Sequence, residues 1–153
     1  MSVRILSVGK ASSRDYQVLI SEFEKRLDKR FQLEWQFIAP SGQQKDAARR
    51  AESDSLRAKL SASDFIVLLD ERGSQSLSSE KFAAKLDEWT LQPRPLTFII
   101  GGAYGVDEEL RQRADFVWSL STLVFPHELV RLILTEQLYR AQCIIAGHPY
   151  HHA

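Results

Sequence analysis

Three apolar residues run into a cluster of three glycines in "FIIGGAYGV", residues 98–106. Gly101, Gly102 and Gly105 lack a Cβ. Their backbone can approach a ligand closely, or take a positive φ in a turn. The spacing is not the G-x-G-x-x-G of a dinucleotide site, and it falls in the last third of the chain. No G-x-x-x-x-G-K-[ST] occurs, so there is no P-loop. A second stretch, "WSLSTLVFPHELV", passes through Leu120, Ser121, Thr122, Leu123, Val124 and Phe125 before Pro126. Connections are usually polar and exposed; this one is apolar. Beside a glycine loop it suits a pocket for an apolar-edged ligand such as adenine, with backbone N–H and C=O groups reading the base. A dimer partner covering the loop is the other reading, and the two are compatible.

The histidines are His127, His148, His151 and His152, and three of them crowd the C-terminal residues with Tyr150. No Cys, Asp or Glu stands at ligand spacing beside them, so no metal site is expected. A His/Tyr cluster after a helix bearing Arg140 suits polar recognition or proton transfer instead. Lys45, Arg49 and Arg50 share one face of a weak helix. That face is either solvated or a contact for phosphates.

The elements that must position these groups alternate. Residues 3–9 read as a buried strand closed by Gly9 and Lys10. Ser12 or Ser13 caps a helix with Tyr16, Leu19, Ile20, Phe23 and Leu27 at helical spacing, and Lys29 and Arg30 suit its C-terminal end. In 31–39, Phe31, Leu33, Trp35 and Phe37 alternate as in a half-buried strand. Residues 44–60 form the weak helix, with Ala47, Ala51, Leu56 and Leu60 as its apolar side. "FIVLLD" at 65–70 is a central strand, and "ERGSQSLSS" a polar loop. Ser78 or Ser79 caps a helix with Phe82, Leu86 and Trp89, and "LTFII" at 96–100 is another buried strand. A short acidic helix at 107–114, a strand at 116–121 and a long helix at 126–147 follow. The long helix is expected to turn Leu129, Leu132, Ile133 and Leu138 inward, with Gly147 at C′.

This order predicts one α/β domain over residues 1–153, with a mostly parallel sheet flanked by helices. Ligands of such sheets bind at the carboxyl ends of strands, here at Leu69-Asp70, Gly101-Gly102 and Ser121-Thr122. The chain has 153 residues, 44% of them hydrophobic, and equal numbers of acidic and basic residues. Zero net charge argues against coating nucleic acid by charge alone, but permits recognition of one structured RNA site. A single cysteine, Cys143, excludes a disulfide framework. No apolar run is long enough for a signal peptide or a span, so a soluble cytoplasmic protein is expected. Three classes fit: an enzyme on a nucleotide-like cofactor, a nicotinamide or flavin oxidoreductase that the misplaced fingerprint disfavours, and a non-enzymatic nucleotide- or RNA-binding module.

"FIIGGAYGV", "WSLSTLVFPHELVRLILTEQLYRA" and "HPYH", together with the opening "SVGK" and the central "LLDERG", resemble the ribosomal large-subunit methyltransferase H family along the whole chain. The resemblance implies a SPOUT-type methyltransferase. Such proteins are α/β homodimers with a C-terminal trefoil knot that binds S-adenosylmethionine. It further implies methylation of N3 of a pseudouridine in the 23S rRNA of the assembled ribosome. By motif, Leu69 lies at the cofactor edge; Gly101, with Gly102 and Gly105, forms one cofactor loop and Leu120 to Phe125 the other. For the substrate, His151 is the candidate general base and Arg140 the candidate stabiliser of the imide anion. Lys10, Lys45, Arg49, Arg50, His148 and Tyr150 are candidate RNA contacts. Many relatives carry a basic residue after "HPYH"; this chain has His152 and then Ala153.

Overall fold

A computed structural model describes residues 2–73 and 76–152. Ser74 and Gln75, in the expected polar loop, lie outside the described residues. The elements run β1 (Val3–Val8), α1 (Arg14–Glu24), a 3₁₀ turn (Lys29–Phe31), β2 (Leu33–Ile38), α2 (Lys45–Ala58), β3 (Phe65–Leu69), α3 (Ser79–Leu91), β4 (Leu96–Ile100), α4 (Glu108–Arg113), β5 (Phe116–Trp118) and α5 (His127–Ala146). The five strands form one sheet in the order β2-β1-β4-β3-β5, and every pairing is parallel.

Alternation within the strands feeds two cores. Val3, Ile5, Val67, Leu69, Phe98 and Ile100 point to one face, where Phe82 and Trp89 of α3 and Leu134 and Leu138 of α5 cover them. Leu6, Val8, Ile66, Leu68 and Ile99 point to the other, under Leu56 of α2 and Leu110 of α4. Strands buried on both sides need continuous apolar sequence, which "FIVLL" and "LTFII" supply. Phe82 is fully buried and stacks on Trp118 with ring centroids 4.3 Å apart. Truncating such a ring costs about 3–5 kcal/mol. Ser78 caps α3 by accepting from the Lys81 amide, and Asp107 caps α4 by accepting from the Leu110 amide.

Three local expectations are corrected. α1 ends at Glu24, so Lys29 and Arg30 belong to the 3₁₀ turn, where Arg30 ties to Asp87 and Thr90 of α3. α2 buries Ala48, Glu52, Ser53 and Leu56, whereas Ala47 is exposed and Ala51 half-buried. α5 buries Arg131, Leu134, Thr135, Leu138, Tyr139 and Cys143, and leaves Leu129, Leu132 and Ile133 half-buried. Apolar residues surround much of α5, so periodicity alone does not select its inner face.

Candidate active site

A cavity of about 710 Å³ opens at the carboxyl ends of β3, β4 and β5. Its floor is Leu68, Leu69, Ile100 and Trp118. One wall is the glycine loop after β4, and the other is the connection from β5 into α5. Of the residues expected there, Leu69, Gly101, Gly102, Gly105, Leu120, Ser121, Leu123, Val124 and Phe125 line it. Thr122 is exposed in the same connection and is not part of the lining.

Local chemistry builds both walls. Gly105 takes φ 75°, and its amide donates to the Gly102 carbonyl at 3.0 Å, closing the glycine turn. In the other wall the Ser119 hydroxyl donates to the Ser121 carbonyl at 2.9 Å, and the Ser121 hydroxyl accepts from the Leu123 amide at 3.0 Å. That turn throws Leu123 and Val124 outward, 67% and 78% exposed. Large apolar side chains so exposed beside a cavity mark a surface made to be covered.

The glycines answer to the protein as well as to the cavity. A Cβ at Gly101 would lie 3.2 Å from Val106 Cγ1, and one at Gly102 would lie 2.4 Å from Glu52 Oε1. Their missing side chains therefore make room first for the loop itself and for α2.

Several further residues in the lining have no role in the cofactor or substrate reading, although Asp70 and Arg72 lie in "LLDERG". Arg72 grips Asp70 through Nε at 3.0 Å and a terminal nitrogen at 2.7 Å, and the Arg72 amide adds a third bond at 2.9 Å. Burial pushes the Asp70 carboxyl up, but these bonds outweigh it and hold the group below its ordinary range. Tyr104 and His127 also face the cavity. Burial, with the charge of Arg131, pushes the His127 imidazole below its usual value. A strand running straight into "DER" was the available signal for Asp70 and Arg72.

Behind this end lies Arg131, with no exposed surface. It donates to Ser7 Oγ at 2.8 Å, to the Lys10 carbonyl at 2.8 Å and to Ser12 Oγ at 3.0 Å, and lies 4.7 Å over the Phe37 ring. It thereby pins the end of β1 to α5. Gly9, at φ 122°, is required there: a Cβ would lie 2.9 Å from His127 Nε2.

The expected catalytic pair lies elsewhere in the chain. Arg140 and His151 do not line the cavity. From His127 to Arg140 is about 20 Å along α5, at about 1.5 Å per residue. Arg140 donates twice to Glu136 Oε1, at 2.9 and 2.6 Å, and sits 3.0 Å from His151 Nδ1. His151 Nε2 is 2.8 Å from Glu80. An arginine can only donate, so Nδ1 accepts and Nε2 carries the proton toward Glu80. Both ring nitrogens are thus engaged in hydrogen bonds. Tyr150 donates to Glu136 at 3.1 Å and packs edge-on to Tyr139 with centroids 4.8 Å apart. Burial, aided by Glu136, pushes its hydroxyl above the usual value.

Of the expected RNA contacts, Lys10, Lys45, Arg50 and His148 are exposed. Arg49 is different. It lines the cavity, donates to the Tyr104 carbonyl at 3.0 Å and pairs with Asp46.

Residues 1–151 match the family described as "Predicted SPOUT methyltransferase". The chain belongs to the SPOUT methyltransferase family. Among similar curated proteins, "Ribosomal RNA large subunit methyltransferase H" of Acidiphilium cryptum is 41% identical over 152 residues, covering 99% of this chain and 94% of the relative. The protein of the same name from Stenotrophomonas maltophilia is 40% identical over 157 residues, with all of both chains covered. A solved structure, that of a probable methylase family protein from Haemophilus influenzae Rd KW20, aligns with 99% of this chain and 70% of its own. Its TM-score is 0.60 at 9% identity, a likeness of fold. The cavity at the strand ends is thus the candidate active site of a SPOUT methyltransferase.

Proposed function

We propose that this methyltransferase uses S-adenosylmethionine to methylate N3 of a pseudouridine in the 23S rRNA of the assembled ribosome. The observation that carries the cofactor reading is the cavity itself, apolar walls and backbone groups between two loops at the sheet's carboxyl edge. The names of the curated relatives carry the ribosomal RNA reading. A non-enzymatic RNA-binding module is not favoured, because the family is one of enzymes.

The cavity's volume and lining suit the cofactor. Leu69, Gly101, Leu120 and Phe125 would bound the nucleoside, and the strand-end carbonyls and amides would read its polar edges. When bound, the cofactor supplies an activated methyl on a sulfonium, so the protein's work is orientation and electrostatics. The substrate N3 carries a proton, which must leave for its lone pair to attack. His151 remains our candidate acceptor and Arg140 our candidate stabiliser of the anion. Both lie outside their own cavity, so the reading includes a homodimer in which one tail reaches the partner's cavity. The half-buried Leu129, Leu132 and Ile133 of α5 suit that interface, and docking would have to loosen the Arg140–His151 contact. The exposed basic groups Lys10, Lys45 and Arg50, with His148, would meet RNA, and Arg49 and Tyr150 would be shared with the protein's own structure. The same reading takes residues 1–153 as one cytoplasmic domain, knotted at its C-terminal end and needing no metal.

Calorimetric titration with S-adenosylmethionine, S-adenosylhomocysteine and NAD tests the cofactor. The first two should bind, in chelator as well as without it, and NAD should not. Methyl transfer to ribosomes lacking the modification tests the substrate. Binding of NAD instead would return the cavity to a dinucleotide enzyme, and loss of binding in chelator would reject a metal-free site.

A further inference from the structure

α2 packs against the glycine loop through four contacts. Arg49 donates to the Tyr104 carbonyl, Ser53 Oγ accepts from the Asp107 amide at 2.8 Å, and Arg57 pairs with both oxygens of Asp107 at 2.8 and 2.9 Å. The fourth contact is Glu52 against Gly102, and it is chemically odd. Glu52 is only 6% exposed. Its Oε2 accepts from the Ser41 amide at 3.0 Å and the Ser41 hydroxyl at 3.2 Å. Its Oε1 has no donor among the described residues. The neighbouring cations are engaged elsewhere: Arg49 with Asp46, Arg57 with Asp54 and Asp107.

A buried carboxylate oxygen without a donor is costly, and proteins rarely keep one without a use. Here the oxygen occupies the volume that any side chain at position 102 would need, since a Cβ there would lie 2.4 Å away. The other oxygen holds the connection after β2. One side chain therefore sets the glycine loop against α2 and against Ser41 together.

We propose that Glu52 is a positioning residue for the glycine loop, fixing how that wall closes on the cavity and so the cavity's affinity for S-adenosylmethionine. It does not line the cavity. The part of the inference that concerns affinity rests on the cofactor reading above.

Two measurements on the whole protein test it, one independent of any ligand. In amide hydrogen exchange of the free protein, Glu52→Ala should speed exchange across residues 101–106 roughly tenfold. Glu52→Gln keeps the shape and an oxygen for Ser41, and should exchange like the wild type. Gly102→Ala should loosen the loop, and Glu52→Ala in the same chain should recover most of that change, because the clash is gone. In calorimetric and kinetic assays, Glu52→Ala should weaken S-adenosylmethionine roughly tenfold through KM, with kcat at saturation and the KM for ribosomes unchanged. General damage would lower kcat and would not be rescued by Gln. Should Gly102→Ala fail to fold, the comparison of Glu52→Ala with Glu52→Gln carries the test alone. Unchanged exchange in Glu52→Ala, or a double variant looser than Gly102→Ala, overturns the proposal. If wild type binds no S-adenosylmethionine, the cofactor reading falls, and exchange still judges Glu52.

Discussion

The two ends of α5 use polar residues in opposite ways. At its N-terminal end, beside the cavity, the two loops give backbone and apolar side chains, Asp70, Arg72 and His127 join the lining, and Leu123 and Val124 stand open. At its C-terminal end, Glu80, Glu136, Arg140, Tyr150 and His151 bond to one another. The end that holds the expected catalytic pair is closed on itself, and the cavity end is open. A titratable side chain is available for chemistry only where its neighbours leave a donor or lone pair free. A site can be assembled from the two ends only if they meet across subunits.

The sharpest way to break this comparison is to remove the closed end. Truncation after Gly147 should leave S-adenosylmethionine affinity within about twofold but reduce methyl transfer by ~10²-fold, the scale of losing a general base. Full-rate transfer by the truncated enzyme would make the cluster purely structural. Next in size is Arg140→Met. Glu136 would lose its cation while only 20% exposed at its side chain. Stability should fall by about 1–3 kcal/mol, read as a lower denaturant midpoint at constant m. No change would mean that the cluster is solvated and open after all.

At the open end, Val124→Ser should leave stability within about 0.5 kcal/mol, because the side chain is 78% exposed. Cofactor affinity or dimerisation should weaken by roughly tenfold, within the usual range for an apolar contact residue. A variant normal in both would leave that loop without a partner. The smallest effect is a pH slope. His127 has a folded value below the ordinary 6.5, with burial first and Arg131 second as causes. Below about pH 6.5 the unfolded chain therefore binds the extra proton more readily. Stability should fall as pH drops through that value toward the lower folded one, and His127→Gln should flatten that part of the curve. An unchanged slope would assign it to other groups.

Much of the fold was legible because it rests on local rules. Continuous apolar runs gave β3 and β4, and Ser78 and Asp107 start helices by hydrogen bonds within one turn. The two cavity walls were legible too, as a glycine cluster and an apolar connection, and nine of the ten residues expected there line the cavity. The inward face of α5 was not, because Leu129, Leu132 and Ile133 are as apolar as the residues that are buried. Nor was Glu52, which reads as one more charge on a polar helix until Gly102 is placed against it.

The sequence by itself determined the alternation of strands and helices, the parallel sheet, the loops at its carboxyl edge and the family. These depend on periodicity, capping and motifs within a few residues. Only the tertiary structure decided which polar groups are spent on one another. Arg131 binds residues more than a hundred positions away, and so does Glu52 face Gly102 fifty positions on. Arg140 reaches His151 only because the chain turns back after Gly147, which takes φ 71°. Hydrogen bonding and burial act through space, within about 3 Å for a hydrogen bond, and spacing along the chain does not encode those distances.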